Sequence, residues 1–281
     1  MNPIISLIRR YPQTSFWCIA CVSFFAAAFQ GFSGAWAFLL YGSALGGVLV
    51  TGVADGRSGL KIYLGRITRW RVGAVWYVLA LSLPLLLNGL ALGFNIALGA
   101  EQPVDIQWPS FENIVFAFIW PGLFGIALAE EPGFRGFALP RLLGTHSALK
   151  AALIVGILHT LWHLPLLAQM LLEGYFIGVL TKGLIIVSAS ILFTWLFNNT
   201  GGSVLIAMLL HASEDLFAGD GSALTLGLLQ SGFSAIDLVR QDILEAAVFV
   251  AMAALVTLAT SGELGRNTST LAGRVVRPKV A

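Results

Sequence analysis

The chain has 281 residues, of which 57% are hydrophobic and only 11% are charged. A soluble domain carries about 25% charged residues, so this composition excludes an ordinary soluble protein. The formal net charge of +2 does not indicate nucleic-acid binding, because the basic residues cluster in loops beside apolar blocks. Those blocks are about 20 residues long, which is the length that spans a bilayer as an α-helix. The sequence therefore predicts an all-α, polytopic membrane helical bundle.

In chain order, the apolar blocks predict about eight transmembrane helices. Their expected limits are 14–31, 34–54, 73–98, 113–129, 151–171, 178–197, 203–218 and 243–260. With this count, the loops rich in Lys and Arg all fall on one side of the bilayer, and the positive-inside rule makes that side cytoplasmic. We therefore expect both termini in the cytoplasm, beneath a bacterial inner membrane.

The same pattern divides the chain into four segments: a two-span hairpin at 1–54, a basic amphipathic cytoplasmic loop at 55–72, a membrane core at 73–262, and a basic cytoplasmic tail at 263–281 that we expect to be disordered. Within the hairpin, Gly42 and Gly46 form a G-x-x-x-G face that favours close helix packing. Cys18 and Cys21 form a C-x-x-C inside the first apolar block, and we interpret them as two small apolar residues.

Few ionisable side chains fall inside the predicted spans. The main ones are Glu130, Glu131, His159, His163, His211, Glu214 and Asp215. A charged side chain at the bilayer centre costs roughly 2.5–3.5 kcal/mol on the mildest insertion scale, so such residues usually face the bundle interior and partner one another. Because three spans contribute these residues, we predict that they meet in one polar cavity. Lys182, near the start of the sixth span, is interpreted as a snorkelling side chain.

Helical spacing separates the roles of the two adjacent glutamates. Glu131 and Arg135 are four residues apart and share a helix face, so they can pair provided that Pro132 and Gly133 do not break the helix. Glu130 is turned about 100° from Glu131. We assign Glu131 and Arg135 to orienting the site and Glu130 to chemistry. The alternative is that all three charges anchor a helix end among lipid headgroups.

The histidines lie in two further pairs with the same spacing. His163, in LHTLWHLP, is the preferred site residue. His159 is interpreted as a packed or hydrogen-bonded histidine that could be an accessory residue of the site. In HASED, Asp215 is four residues from His211 and could either orient its imidazole or bind polar atoms. Glu214 is expected to face elsewhere, near the outer boundary of the membrane.

These three motifs together resemble the CPBP (CAAX protease and bacteriocin-processing, Abi) family of intramembrane endopeptidases, which is related to the Ras-converting CAAX endoprotease. EEPGFR at 130–135 is similar to the family's first motif, E-E-x-x-x-R. HTLWH ends at His163, which matches the histidine of the second motif, F-x-x-x-H. HASED at 211–215 is similar to the third motif, H-x-x-x-N or H-x-x-x-D. His159 stands where the family usually has Phe. The resemblance covers roughly residues 50 to 217.

The resemblance implies that the core is a catalytic unit in which Glu130 and His163 activate a water. His211 and Asp215 would then stabilise the oxyanion formed on the scissile carbonyl. The implied partners are the lipid bilayer and a membrane-associated peptide or protein, with a CAAX-type tail suggested by family analogy. No cofactor is required, but the extra His159 leaves zinc possible, and the predicted metal ligands are then Glu130, His163 and His211.

Three alternatives remain open at this point. A catalytically silent membrane immunity or scaffold protein could have the same fold. A transporter also buries acids and histidines as a proton relay, although no repeated halves are evident here. Finally, G-F-S-G at 31–34 matches the serine motif of rhomboid-type proteases, without an evident histidine partner.

Overall fold

The structure, a computed structural model, describes residues 2–100, 109–217 and 234–265. Every regular element in these three ranges is a helix, which confirms the predicted all-α architecture. Most of the predicted tail at 263–281 lies outside the described residues, which end at 265.

The first described range contains α1 Pro3–Arg10, α2 Pro12–Phe29, a 3₁₀ helix Gly34–Tyr41, α3 Gly42–Ile67 and α4 Ala74–Ala97. The second contains α5 Phe111–Ala117, a π-helix Phe118–Ala127, α6 Leu128–Glu131, a second π-helix Pro132–Ala138, α7 Leu139–Leu143, α8 Ala148–Trp162, α9 Leu164–Leu172, α10 Phe176–Asn199 and α11 Val204–Phe217. The third contains α12 Ala235–Ala259. We call the stretch Phe111–Leu143 the composite helix.

The helices form the expected membrane bundle. In the described ranges, six helical stretches are long and apolar enough to cross a bilayer, and α8 with α9, bent by 55°, would make a seventh. Within the described residues, α11 would supply the eighth of the predicted spans if it also crosses. This helix is described over 14 residues, Val204–Phe217, and the chain beyond it lies outside the described residues until 234.

Close packing joins α2 to α3, as the glycine spacing predicts. A Cβ at Gly42 would lie 1.7 Å from Ser23 Oγ, and one at Gly46 would lie 3.1 Å from Ile19 Cγ2. Only glycine lets the two backbones approach this closely at position 42. The predicted G-x-x-x-G contact is therefore confirmed.

The basic segment after this hairpin is largely helical and docked. α3 kinks at Gly56, where φ is +66°, and helical structure resumes beyond it as far as Ile67. Arg66 Nη1 donates a hydrogen bond to the carbonyl of Gly136 at 3.1 Å. Arg141 forms an ion pair with Asp55. These contacts hold the basic segment against the C-terminal part of the composite helix.

The composite helix runs well past the predicted limit of 113–129. A proline removes a backbone donor and clashes with the carbonyl four residues before it, which usually kinks or ends an α-helix. Here the backbone widens into π-helical turns that contain Pro121 and Pro132, and the helix continues. The two glutamates lie on α6, between the π-helical stretches. Such π turns are frequent at functional sites.

Two further helix pairs enclose the glutamates. α11 packs against α4 and the first π-helix, while α10 packs against both α8 and α12. A Cβ at Gly156 on α8 would lie 3.0 Å from Ser190 Cβ on α10, and one at Gly183 on α10 would lie 3.6 Å from Thr160 Cγ2 on α8. Sequence number rises along one helix as it falls along the other, so α8 and α10 are antiparallel. α6, α8, α10 and α11 thus bring the predicted polar residues to one place.

Candidate active site

Glu131 is the centre of a buried hydrogen-bonded cluster. Its Oε1 lies 2.8 Å from Arg135 Nη1 and 2.7 Å from His211 Nδ1. The side chain of Glu131 is 0% exposed and that of Arg135 is 2% exposed. The guanidinium also lies over the ring of Phe193, 4.1 Å from its centroid. The predicted i,i+4 pair is thus present, and it fixes the ring of His211 as well.

Glu130 points to the other side of α6, toward two imidazoles. Its Oε2 is 2.9 Å from His159 Nε2 and 4.0 Å from His211 Nε2. Its backbone carbonyl accepts a hydrogen bond from Ser43 Oγ at 3.3 Å. The chain passes Ser43 so closely at Gly133 that a Cβ there would lie 1.9 Å from the serine Oγ and 2.6 Å from its carbonyl oxygen. Contact with α3 therefore positions the turn that carries both glutamates.

His159 and His163 occupy the last turn of α8 and its C-cap. His163 Nδ1 lies 3.2 Å from the backbone oxygen of His159, and the two ring centroids are 4.8 Å apart. Phe134 and Trp162 pack beside them, and Trp162 Nε1 donates to the carbonyl of Ala20 at 2.9 Å. The interpretation of His159 as a packed, hydrogen-bonded histidine fits this geometry. Its hydrogen-bond partner is Glu130, which places His159 inside the site.

Asp215 lies beside His211 without bonding to it closely. Its Oδ2 is 3.8 Å from His211 Nε2, which is too long for a direct hydrogen bond. Glu131, at 2.7 Å, is the carboxylate that orients the imidazole. Of the two roles open to Asp215, orienting His211 is therefore not supported, and binding other polar atoms remains.

These residues surround a cavity of about 310 Å³. Its ionisable lining residues are Glu130, Arg135, His159, His163, Lys182, His211, Glu214, Asp215 and Glu245. All the predicted site residues line this cavity except Glu131, which is fully buried behind the lining residues. The prediction that Glu214 faces elsewhere is wrong, since helix α11 turns this residue into the same cavity.

Two lining residues were not predicted for the site. Lys182 was interpreted as snorkelling to the membrane surface, but it lines the cavity instead. Glu245 is buried on α12 and was overlooked, although a carboxylate inside an apolar helix is itself a signal of a functional interior position. Neither belongs to a recognisable motif, so only the packing of α10 and α12 places them here.

One group of side chains has the composition of a metal site. Among the described residues, a carboxylate oxygen of Glu130 and ring nitrogens of His159 and His163 all lie within 4.8 Å of one another. This set differs from the predicted set, which contained His211 and not His159. His211 Nδ1 is bonded to Glu131, and its Nε2 is 4.0 Å from Glu130.

The arrangement can support addition of water to a carbonyl group. It places a carboxylate and imidazoles in a cavity with largely apolar walls, and such preorganised groups stabilise developing charge better than the same groups in water. The serine of the G-F-S-G motif takes no part, because Ser33 is exposed and its Oγ donates to the carbonyl of Gln30 at 2.9 Å.

Comparison with known proteins gives two findings. Residues 111–217 match the family model for the type II CAAX prenyl endopeptidase Rce1-like proteins. The CAAX prenyl protease 2 of Methanococcus maripaludis is 32% identical over 107 residues, which cover 32% of this chain and 37% of that protein. The chain therefore spans little more than a third of the length of this curated relative. The matched range 111–217 contains Glu130, His163, His211 and Asp215.

Proposed function

Since residues 111–217 belong to the CPBP family of CAAX-type proteases, we propose that this integral membrane protein is an intramembrane endopeptidase. The observation that carries the proposal is the contact of the Glu130 carboxylate with His159 at 2.9 Å and its approach to His211 at 4.0 Å, inside one cavity. By the names of its relatives, the substrate is a prenylated CAAX tail, in which three residues follow the lipid-bearing cysteine.

Water activation is assigned to Glu130 with His163. If His163 Nδ1–H donates to the backbone oxygen of His159, the Nε2 of His163 is left as an acceptor. Nitrogen and carboxylate atoms within 4.8 Å of one another are suitably spaced for one water to bond to both. Glu130 removes a proton from this water as its oxygen attacks the scissile carbonyl, and the same proton then passes to the leaving amine. General-base help of this kind contributes roughly 10²–10⁴-fold.

Stabilisation of the oxyanion is assigned to His211 with Asp215. With Glu131 ionised, His211 Nδ1 donates to it, and a second proton on Nε2 makes that atom a donor toward the cavity. Asp215, 3.8 Å from this nitrogen, borders the same space and would contribute as the protonated acid. Glu131 and Arg135 act through His211 by fixing its ring.

A metal-dependent form of the same reaction is the second candidate, favoured by the group of Glu130, His159 and His163. A bound zinc ion would supply Lewis acidity and an activated water. Metal content of the purified protein distinguishes the two forms. About one zinc per chain, lost together with activity on chelation, supports the metal form, whereas full activity without metal supports the glutamate form.

The decisive experiment compares wild type with Glu130→Gln on a panel of farnesylated peptides, with products identified by mass spectrometry. Glutamine keeps the shape of the side chain but cannot act as a base, so we expect a loss of roughly 10²–10⁴-fold. Glu173→Gln, on an exposed glutamate after α9, is the matched control. Equal cleavage by wild type and Glu130→Gln would remove the proposed base. A wild-type protein that cleaves no peptide in the panel would favour the immunity or scaffold alternative.

We also propose an orientation with both termini in the cytoplasm of a bacterium and the protein in the inner membrane. The basic residues of the segment 55–72, together with Arg141 on α7 and Lys150 on α8, support it through the positive-inside rule. Terminal fusions to green fluorescent protein and to alkaline phosphatase test it, since the first is expected to fluoresce and the second to be inactive.

A further inference from the structure

The second turn of α10 carries a lysine that faces the proposed active site. Lys182, Ile185, Ile186, Ala189 and Phe193 all line the cavity. Their spacing of three, four, seven and eleven residues from Lys182 is that of one face of an α-helix. Lys182 is half-buried and lines the same cavity as the reacting groups.

Lys182 and Phe193 lie at opposite ends of this face. Because Gly183 meets Thr160, Lys182 is level with the last turn of α8, between His159 and His163. Phe193 lies eleven residues further along α10, or about 16 Å at 1.5 Å per residue. Its ring contacts Arg135 and lies 6.0 Å from the His211 ring, so it is level with the proposed oxyanion site.

The positive charge of Lys182 is available to a ligand. Arg135 and Lys182 are the arginine and lysine side chains that line the cavity in the described ranges, and Arg135 is already bonded to Glu131. No described carboxylate forms an ion pair with Lys182 within 4 Å. An ammonium group has three donors and no acceptor, and between apolar walls it strongly favours a directly bound anion.

A CAAX-type substrate brings such an anion. Three residues follow the prenylated cysteine, and the last one carries the free α-carboxylate. Fully extended, three residues span roughly 10–11 Å of the distance of about 16 Å along α10 between the levels of Phe193 and Lys182. The rest of that distance is within the reach of a lysine side chain. A carboxylate placed in this cavity without a partner would be strongly destabilised.

We propose that Lys182 binds the C-terminal carboxylate of the substrate, so that the enzyme selects peptides whose free C-terminus lies about three residues beyond the scissile bond. This inference rests on the proposed endopeptidase function. It identifies Lys182 as a specificity-determining residue. Arg135 differs, because its bond to Glu131 helps to position His211.

Binding tests the proposal independently of catalysis. The probe is a fluorescent peptide ending in farnesyl-Cys-Val-Leu-Ala, prepared with either a free C-terminal acid or an amide. Its affinity is measured by anisotropy for Glu130→Gln protein in lipid nanodiscs, alone and combined with Lys182→Met. Loss of a hydrogen-bonded charge partner should weaken binding roughly ten- to hundredfold. We therefore expect the acid to bind that much better than the amide, and the acid-to-amide ratio to approach one in Lys182→Met.

Three controls make the result specific. Lys182→Gln is a second neutral variant in case the methionine disturbs folding, and Lys182→Arg should keep most of the preference for the acid. Lys150→Met, on an exposed lysine in the first turn of α8, should leave the ratio unchanged. Because acid and amide are compared on the same preparation, incomplete folding cannot change the ratio.

The outcomes separate this inference from the proposed function. If Glu130→Gln binds acid and amide equally, or if both neutral variants keep the preference for the acid, the role of Lys182 is wrong even where wild type cleaves both peptides. If the acid is preferred through Lys182 but wild type cleaves neither peptide, carboxylate recognition stands and the protease proposal fails.

Discussion

The two ends of the cavity differ in how firmly their polar groups are held. At one end, Glu131 bonds to both Arg135 and His211 at 2.7–2.8 Å, and all three side chains are buried. At the other end, Lys182 is half-buried and forms no ion pair within 4 Å with a described residue. The first end is fixed by its own hydrogen bonds and presents only the Nε2 side of His211 to the substrate, whereas the second end is not fixed by an ion pair of Lys182. Glu130, which contacts His159 and approaches His211, lies between them.

Breaking the firmly held end should have the largest effect on stability. Glu131→Ala leaves the guanidinium of Arg135 buried without its carboxylate, and removal of one partner from a buried pair costs about 3–5 kcal/mol. We expect a decrease of this size in the free energy of unfolding, measured in mixed micelles with increasing SDS. Glu173→Ala, on an exposed glutamate, is the control and should be near neutral. A decrease below about 1 kcal/mol for Glu131→Ala would mean that this cluster does not hold the bundle together.

The neighbouring Asp215 should affect rate and not stability. Asp215→Ala removes a proposed partner of the oxyanion, for which losses of roughly 10²–10³-fold in kcat are typical. Asp215→Asn supplies an amide donor at the same position and should keep most of the activity. Initial rates on the best peptide substrate, together with unfolding curves for both variants, test this. If alanine and asparagine reduce kcat equally, position 215 does not donate to the oxyanion.

The sequence predicted the firmly held end better than the open one. The pairing of Glu131 with Arg135 could be predicted because a charge inside an apolar span needs a partner and i,i+4 spacing identifies it. The same spacing pointed from His211 to Asp215, so the bond of His211 to Glu131 comes from packing alone. Lys182 and Glu245 could not be assigned to the cavity, because neither belongs to a motif: Lys182 is the one charged residue on α10, and Glu245 is one of several on α12. Such a charge can reach a membrane surface or a cavity, and the rotation of its helix decides which. That rotation depends on packing between helices distant in sequence, as the close contact of Gly156 with α10 illustrates.

The same limit applies to the composite helix. Pro132 after two glutamates indicates a helix end by local rules. The helix instead continues in π geometry to Ala138, where Phe134 and Phe137 pack against Phe16, and then as α-helix to Leu143. Tertiary packing overrides the local signal, and it moves Glu130 from a predicted helix terminus to the middle of a 33-residue span.

The contact of this span with α3 gives a smaller prediction. Gly133→Ala places a methyl group against the side chain and the carbonyl oxygen of Ser43, and overpacking typically costs about 1–3 kcal/mol. Gly89→Ala, in the middle of α4, has open space around the new methyl and should be neutral or slightly stabilising. Adding Ser43→Gly to Gly133→Ala removes the clash with Oγ but not the clash with the backbone, so we expect partial rescue. Full stability of Gly133→Ala alone would show that the two helices can move apart freely.

His159 gives the smallest expected effect and the sharpest test of the region between the two ends. His159→Phe introduces the residue usual at this position in the family and removes the contact with Glu130. Phenylalanine suits the neighbouring rings of Phe134 and Trp162, so stability should change little. Loss of one hydrogen bond to a charged group should lower kcat roughly tenfold if Glu130 acts as a base without metal. A complete loss of activity, accompanied by loss of bound zinc, would instead identify His159 as a metal ligand and replace the glutamate form with the metal form.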